Sequence, residues 1–204
     1  MKALISIWKT ELKNRSFLLS LVAIIVLLAI LFTFISYFQS QIELRSGVVF
    51  NDPILDLFPA IQLDWVTFIA LYSAHLLAII IAFKQPKLFL QLAWGYFFVY
   101  FFRVISIYLI PLEPPADMIL LKDPFLYWFG GGDITKDLFY SGHTASLFVA
   151  FLTMTNKKVK VFLFIALVVV MAGVILQKVH YTIDVYAALF FAYCSYRIAK
   201  RIMN

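Results

Sequence analysis

Charged residues and cysteine are scarce in this chain of 204 residues. Asp, Glu, Lys and Arg together make up 14% of the residues, whereas hydrophobic residues make up 64% and the mean hydropathy is +0.94. So little polar surface cannot coat a soluble globule, which indicates an integral membrane protein. The single cysteine, Cys194, excludes an intrachain disulfide. The sequence also lacks internal repeats, a heptad seam and low-complexity tracts, so we expect a single membrane domain over residues 1–204.

Six apolar stretches are long enough, or nearly so, to cross a hydrocarbon layer of roughly 30 Å as helices. They cover residues 17–38, 66–83, 88–109, 138–155, 160–176 and 180–198. Because backbone polar groups must be satisfied internally within lipid, the expected fold class is all-α, a polytopic membrane protein with six transmembrane helices. Residues 1–15 are expected to form an interfacial amino-terminal arm.

Basic and acidic residues alternate from one loop to the next. Lys and Arg precede the first stretch, follow the second and the fourth, and end the chain, whereas acidic residues follow the first and the third. Short loops rich in Lys and Arg stay in the cytoplasm, so both termini are predicted to be cytoplasmic. The formal charge of +6 then reflects topology in a plasma or inner membrane with an anionic inner leaflet, and no nucleic-acid partner is implied.

Two of the three histidines open predicted helices on the extracytoplasmic side. His180 lies four residues before Asp184, one helical turn away, where the carboxylate can accept a hydrogen bond from one ring nitrogen and leave the other free to attack. A second imidazole nearby can protonate a leaving alkoxide, and His143 fits that role. Arg103, inside the third stretch, has the fork of donors that holds phosphoryl oxygens. The long connection over residues 112–137 leads into the first histidine and is expected to be functional.

At these residues the chain resembles the sphingomyelin synthase-like branch of the PAP2 (type 2 phosphatidic acid phosphatase) superfamily. Residues 137–144, DLFYSGHT, are similar to the histidine motif of that branch, and residues 180–185, HYTIDV, are similar to its second motif. Residues 103–115, which include LIPLEP, resemble its third-span signature. The resemblance implies a PAP2-like bundle of six spans. It also implies the same nucleophile, carboxylate partner and general acid that the spacing indicates.

Departures from the phosphatase branch favour head-group transfer. Tyr140 stands where that branch has a proline, Val174 stands where it has an arginine, and its Lys-Arg pair is missing from the first motif. A phosphomonoester dianion needs more cationic neutralisation than a phosphodiester monoanion, so a site with Arg103 as its only arginine suits a diester. Lys136 replaces a glycine of the synthase-like branch and offers an additional phosphate contact.

The sequence therefore predicts a membrane lipid phosphotransferase. It would move a phospho-head group from a phospholipid donor to a lipid alcohol, ceramide-like or diacylglycerol, through a phosphohistidine, and no metal or other cofactor is expected. With water as acceptor the protein would be a PAP2-type lipid phosphatase or a phospholipase C-like hydrolase. A catalytically silent lipid-binding protein is the third alternative, and a homo-oligomer is compatible with the sequence. A small transporter is disfavoured, because the polar groups lie at outer helix ends rather than at the midplane of matching halves.

The residues expected to act in this reaction cluster around the two motifs. The predicted catalytic residues are His143, His180 and Asp184. The predicted phosphate contacts are Arg103, Ser141, Gly142 and Lys136. The predicted substrate contacts are Tyr140, Tyr181 and Asp137.

Three weaker sequence signals have a purely structural interpretation as well as a functional one. Trp128, together with Tyr140 and Tyr181, would suit a cage around a quaternary ammonium with Asp133 or Glu113 nearby, but aromatic residues collect at membrane interfaces in any case. The glycine run at residues 130–132 indicates a flexible loop more than a phosphate cradle. His75, alone in an apolar stretch, is expected to be a packing residue.

Overall fold

The computed structural model describes residues 2–123 and 133–203, and these residues form seven α-helices and no strand. The helices are α1 (Lys2–Leu12), α2 (Arg15–Glu43), α3 (Asp64–Phe83), α4 (Pro86–Leu109), α5 (Gly142–Thr153), α6 (Lys157–Leu176) and α7 (Thr182–Met203). A 3₁₀ turn at Leu55–Leu57 lies between α2 and α3, and an isolated bridge joins Val48 to Leu112. The prediction of an all-helical chain is therefore confirmed for the described residues.

Four of these helices, α2, α3, α4 and α6, are long and apolar enough to cross a membrane. This length and composition indicate an integral membrane protein. Helix α5 is apolar but has only 12 residues, and α7 has 22 residues with Asp184 in its first turn and Lys200 and Arg201 in its last. That the chain has six transmembrane helices, and that both termini are cytoplasmic, stay predictions.

Helix boundaries differ from the predicted stretches where capping decides them. Helix α5 begins at Gly142 rather than at residue 138, because Ser141 has an extended backbone and its hydroxyl accepts a hydrogen bond from the Thr144 amide at 3.3 Å. Such N-cap residues end the extended segment and start the helix. Helix α2 begins at Arg15, where the side chain of Asn14 caps it, and α7 begins two residues after His180.

Helix α5 lies at the centre of the bundle. It packs on α3, α4, α6 and α7, and eight of its 12 residues are buried. Small side chains allow the surrounding helices to come close, as is usual between helices in membranes. A Cβ on Gly95 of α4 would lie 2.6 Å from Cγ1 of Val149, and one on Gly173 of α6 would lie 2.2 Å from Oγ1 of Thr67 in α3. A short central helix of this kind holds its first residues firmly at one end of the bundle.

Helices α1 and α2 lie at the periphery. Helix α2 packs on α4 and α1, and much of its surface is exposed. Helix α1 has no buried residue, but Trp8 packs against Phe17, Phe83 and Phe89 and donates a hydrogen bond from Nε1 to the Phe83 carbonyl at 2.9 Å. Trp8 therefore attaches the amino-terminal arm to the bundle beside the turn between α3 and α4.

Candidate active site

The first turn of α7 holds His180 in one orientation. Its Nδ1 lies 3.1 Å from Oδ2 of Asp184, and the same oxygen accepts a hydrogen bond from the Tyr181 amide at 3.2 Å. The carboxylate is fully buried, and its Oδ1 has no hydrogen-bond partner among the described residues. Because a carboxylate oxygen accepts, Nδ1 carries the proton and Nε2 has a free lone pair. The hydrogen bond predicted from the four-residue spacing is present, although the helix begins only at Thr182.

Asp52, from the connection between α2 and α3, fixes the same turn from outside. Its carboxylate accepts hydrogen bonds from the Thr182 amide at 2.6 Å and the Thr182 hydroxyl at 3.2 Å, and it is buried. The carboxylate thus satisfies a donor that the helix itself leaves unpaired and adds negative charge at a helix amino terminus. A residue 130 positions before Thr182 therefore helps to fix the turn that holds His180.

His143 lies in the first turn of α5, which a backbone bond ties to the start of α7. The Ser141 amide donates to the Asp184 carbonyl at 3.3 Å, and this contact brings the two histidines to one end of the bundle. The ring of Phe68 packs edge-on against the His143 ring at a centroid distance of 6.1 Å. The Nδ1 of His143 is buried and has no hydrogen-bond partner among the described residues. Unlike His180, this imidazole makes no hydrogen bond to a carboxylate of the described residues, so none of them fixes its tautomer.

Both histidines face one cavity of about 480 Å³. Its walls come from α2, α3, α4, α5 and the connections between helices. The described residues with charged or imidazole side chains that line it are His75, Arg103, Asp123, Asp133, Asp137, His143 and His180. A cavity of this size lies within the range of small-molecule ligand sites, which measure several hundred Å³.

Arg103 on α4 is buried and makes three hydrogen bonds. Its Nε donates to the Tyr140 carbonyl at 3.0 Å, and its terminal nitrogens donate to Oδ1 of Asp137 at 2.5 Å and to the Asp137 carbonyl at 2.9 Å. The anion that a buried arginine needs is therefore Asp137. Both residues line the cavity, so the guanidinium reaches it as one half of an ion pair.

Lys136 is the predicted phosphate contact that the structure does not bring to the cavity. Its ammonium donates to Oε1 of Glu113 at 3.0 Å and to the Arg45 carbonyl at 2.6 Å, and it is not among the lining residues. Glu113 also accepts a hydrogen bond from the Gly47 amide at 2.7 Å. The hydrogen bond from Lys136, followed by that from Gly47, lowers the pKa of the Glu113 carboxyl below its ordinary value. This ion pair joins connections around the cavity and has a structural role in the described residues.

The other predicted contacts divide in the same way. Gly142 and Asp137 line the cavity, whereas Ser141, Tyr140 and Tyr181 do not. Tyr140 is fully buried, stacks on Phe191 at a centroid distance of 4.7 Å and donates its hydroxyl to the Val99 carbonyl.

The hydroxyl of Tyr181 donates to the Glu113 carbonyl at 2.9 Å, and its ring is buried. Tyr140 and Tyr181, two of the three rings considered for an aromatic cage, both lie outside the cavity lining. The third ring, Trp128, and the glycine run at residues 130–132 lie outside the described residues.

His75 has the backbone hydrogen bond of a packing residue, since its Nδ1 lies 2.8 Å from the Leu71 carbonyl one turn earlier in α3. The packing interpretation is incomplete, however, because the ring also lines the cavity.

Sequence reasoning missed several residues that build the site. Glu43, at the end of α2, accepts hydrogen bonds from the Thr135 amide and hydroxyl and from the Lys136 amide, each at 2.8 Å. This fixes the segment that carries Asp137. No local pattern marks Glu43 or Asp52, because both act on segments far away in sequence.

Comparison with known proteins gives one family match. A family model described as PAP2 superfamily C-terminal matches residues 136–201, a stretch that contains both histidines and Asp184 but not Arg103 or helices α1 to α4. No curated protein matches the chain. The matched family suggests an activity of the lipid phosphatase or phosphotransferase type, in agreement with the apolar helices.

Proposed function

We propose that this protein is a membrane lipid phosphotransferase similar to the sphingomyelin synthase-like branch, acting through a phosphohistidine on His180. The observation that carries the proposal is the hydrogen bond from Nδ1 of His180 to the buried Asp184 at 3.1 Å. His180 lines the same cavity as His143 and Arg103. A histidine oriented in this way has one nitrogen committed to the carboxylate and the other available as a nucleophile.

In the first half-reaction, Nε2 of His180 attacks the phosphorus of a phospholipid. A bond forms between nitrogen and phosphorus, and the bond between phosphorus and the diacylglycerol oxygen breaks. Asp184 stabilises the positive charge that develops on the imidazole. His143 gives its proton to the departing alkoxide, which leaves as diacylglycerol.

In the second half-reaction, His143 takes a proton from the hydroxyl of a lipid alcohol. The resulting oxygen nucleophile attacks the phosphohistidine, the bond between nitrogen and phosphorus breaks, and His180 returns to its starting form. The proton on His143 is thereby restored for the next cycle. Water in place of the alcohol would give hydrolysis by the same steps.

The charges around the cavity support a phosphodiester substrate. Arg103 is the one Lys or Arg residue among the described residues that line it, and Asp137 already neutralises this charge. Lys136 is bound to Glu113 outside the cavity. A phosphomonoester dianion would therefore find too little positive charge, whereas a diester carries a single negative charge.

The walls of the cavity support access from the membrane. Phe32 of α2 and Leu71 of α3 both line it, yet α2 packs on α4 and α1 and hardly on α3. Phe32 is 46% exposed and contacts the Tyr100 ring inside the cavity at a centroid distance of 5.4 Å. A lipid that slides between α2 and α3 would reach the histidines without leaving the bilayer. We place this site on the extracytoplasmic side, with both termini cytoplasmic, on the distribution of basic loops.

The test uses purified full-length protein in liposomes with a phospholipid donor labelled in its head group, with either ceramide or diacylglycerol added as the lipid alcohol. Products are identified by mass spectrometry. We expect the label in a new lipid phosphodiester, and an acid-labile phosphoryl group on His180 when the acceptor is withheld. His180→Ala should abolish both signals, and Cys194→Ser, in α7 away from the cavity lining, should change neither.

Other products would identify the alternative activities. Release of the phospho-head group without a new lipid phosphodiester would identify a phospholipase C-like hydrolase. In a parallel assay with phosphatidic acid as the donor, release of free phosphate with no head-group transfer in the main assay would identify a phosphatase. Either result would overturn head-group transfer. The same turnover in His180→Ala as in the unaltered protein would overturn the phosphohistidine itself.

A further inference from the structure

The cavity extends past the two histidines to His75, near the middle of α3. Phe68, whose ring contacts His143, lies seven residues before His75 on the same helix, which is about 10 Å of axial rise. Leu71, between them, also lines the cavity. The cavity therefore reaches about two helical turns beyond the phosphoryl site, which is comparable to the length of a lipid linkage between its phosphate and its hydrocarbon chains.

The hydrogen bond of His75 fixes what its free nitrogen can do. The Leu71 carbonyl only accepts, so Nδ1 carries the proton and donates to it at 2.8 Å. In the neutral ring Nε2 is then a bare acceptor. Among the described residues Nε2 has no hydrogen-bond donor, and Tyr96 packs beside the ring at a centroid distance of 5.7 Å with its own hydroxyl unpartnered.

The His75 ring lines the cavity, so a donor for Nε2 has to come from what occupies the cavity. A ligand in the cavity can supply the missing donor. Ester carbonyl and ether oxygens only accept, so a lipid linked by esters alone would leave Nε2 unpaired. A hydroxyl or an amide N–H donates, and would satisfy it.

We infer that His75 binds a hydroxyl or amide N–H in the linkage region of the acceptor lipid that enters the cavity once diacylglycerol has left, and so selects acceptors with such a donor over acceptors whose linkage has only esters. This inference rests on the proposed function in that it takes the ligand to be a lipid. It gives His75 a positioning role, distinct from the chemistry at His143 and His180.

The test measures binding in the absence of turnover, with full-length His180→Ala protein in lipid nanodiscs. The probes are photo-reactive lipids with identical chains: an N-acyl amino alcohol, and its analogue with the amide nitrogen and the hydroxyl both methylated. We expect the unmethylated probe to label the protein with about fivefold higher affinity, the value of one hydrogen bond of about 1 kcal/mol. If this protein, in which His75 is intact, bound the two probes with equal affinity, the inference would be overturned.

Variants at His75 then assign the effect. In His75→Phe, which keeps an aromatic ring, the preference for the unmethylated probe should disappear while labelling by the methylated probe stays within about twofold. In His75→Gln, whose amide oxygen accepts, part of the preference should return. If labelling by both probes fell to the same extent in His75→Phe, His75 would have only a packing role and the inference would be overturned.

This experiment separates the two proposals. Selective binding in the His180→Ala background, combined with no transfer by protein that retains His180, would reject the proposed function and leave the His75 site standing. Transfer without selective binding would do the reverse.

Discussion

Gly142 lies directly against the guanidinium of Arg103. A Cβ built on Gly142 would lie 2.9 Å from Nε of Arg103 and 3.1 Å from Cζ. The first distance is shorter than a Cβ tolerates, and the second is tighter than an ordinary van der Waals contact. Arg103 is itself held by Asp137 and the Tyr140 carbonyl, so it has little freedom to move away. The absence of a side chain at the first residue of α5 is therefore what lets the cation lie beside His143.

Gly142→Ala should displace Arg103 and lower kcat by about 100-fold, the usual cost of moving a group at a reacting centre by about 1 Å. Gly95→Ala is the matched control. It creates a similar clash with Val149 in the core, away from the cavity, so it should lower the melting temperature and leave kcat of the folded protein unchanged. Wild-type kcat in Gly142→Ala would show that the position of Arg103 does not matter for turnover.

The roles of the two histidines can be separated with a donor whose leaving group needs no proton. With a p-nitrophenyl phosphodiester as donor, His143→Ala should retain release of nitrophenolate at close to the normal rate. With a natural phospholipid the same variant should lose about 10²- to 10⁴-fold, the contribution of general acid catalysis. A stopped-flow burst of nitrophenolate is the measurement. His180→Ala should release neither nitrophenolate from the activated donor nor diacylglycerol from the natural one. An equal loss of rate with both donors in His143→Ala would contradict its assignment as the acid.

Arg103 and Asp137 form a buried ion pair whose stability and activity contributions can be separated. Asp137→Leu should destabilise the protein by about 3–5 kcal/mol, because it leaves the guanidinium buried without an anion. The double variant Arg103→Met, Asp137→Leu should recover most of this loss, since an apolar pair of similar volume needs no charge compensation. It should nevertheless stay inactive, because no cation then faces the phosphoryl group. Thermal unfolding in detergent, read beside turnover, tests both statements.

The parts of the site that the sequence predicts are local ones. The spacing of His180 and Asp184 is a single helical turn, so it determines the contact between them without any knowledge of the fold. Apolar length likewise predicts the long helices α2, α3, α4 and α6, because crossing the hydrocarbon layer sets a minimum length.

The parts that the sequence does not predict depend on distant segments. Lys136 lies next to the first motif and reads as a phosphate contact, yet the fold brings Glu113 and the Arg45 carbonyl to its ammonium. Tyr140 reads as a substrate contact for the same reason, but its hydroxyl is used by the Val99 carbonyl in α4. Which partner a polar side chain takes is decided by tertiary packing, and no local pattern encodes it.

The ion pair of Glu113 and Lys136 should make stability depend on pH. The hydrogen bonds from Lys136 and the Gly47 amide lower the pKa of Glu113 in the folded protein. Its contribution is therefore fully present above the unfolded-state value of about 4.3 and is lost progressively as the pH falls toward the lower folded-state value. In Glu113→Gln the melting temperature should be lower than that of the unaltered protein at pH 6, and the difference should shrink between pH 4.5 and pH 3. If the difference in melting temperature stayed constant across this range, the loss of stability in Glu113→Gln would not come from the charge of Glu113.

Asp52 contacts the start of α7 but lies outside residues 136–201, the stretch that the family model matches. Its substitution tests whether a distant residue helps to hold His180 in place. Asp52→Ala removes the acceptor of the Thr182 amide and hydroxyl. It should cost about 1 kcal/mol of stability, as the loss of a helix cap does. It should also lower kcat, because the turn that carries His180 loses its fixed geometry. Asp56→Ala is the matched control, since Asp56 lies in the same connection but is exposed, and it should change neither quantity. If Asp52→Ala lowered stability while kcat stayed at the wild-type value, Asp184 alone would be sufficient to hold His180 in place.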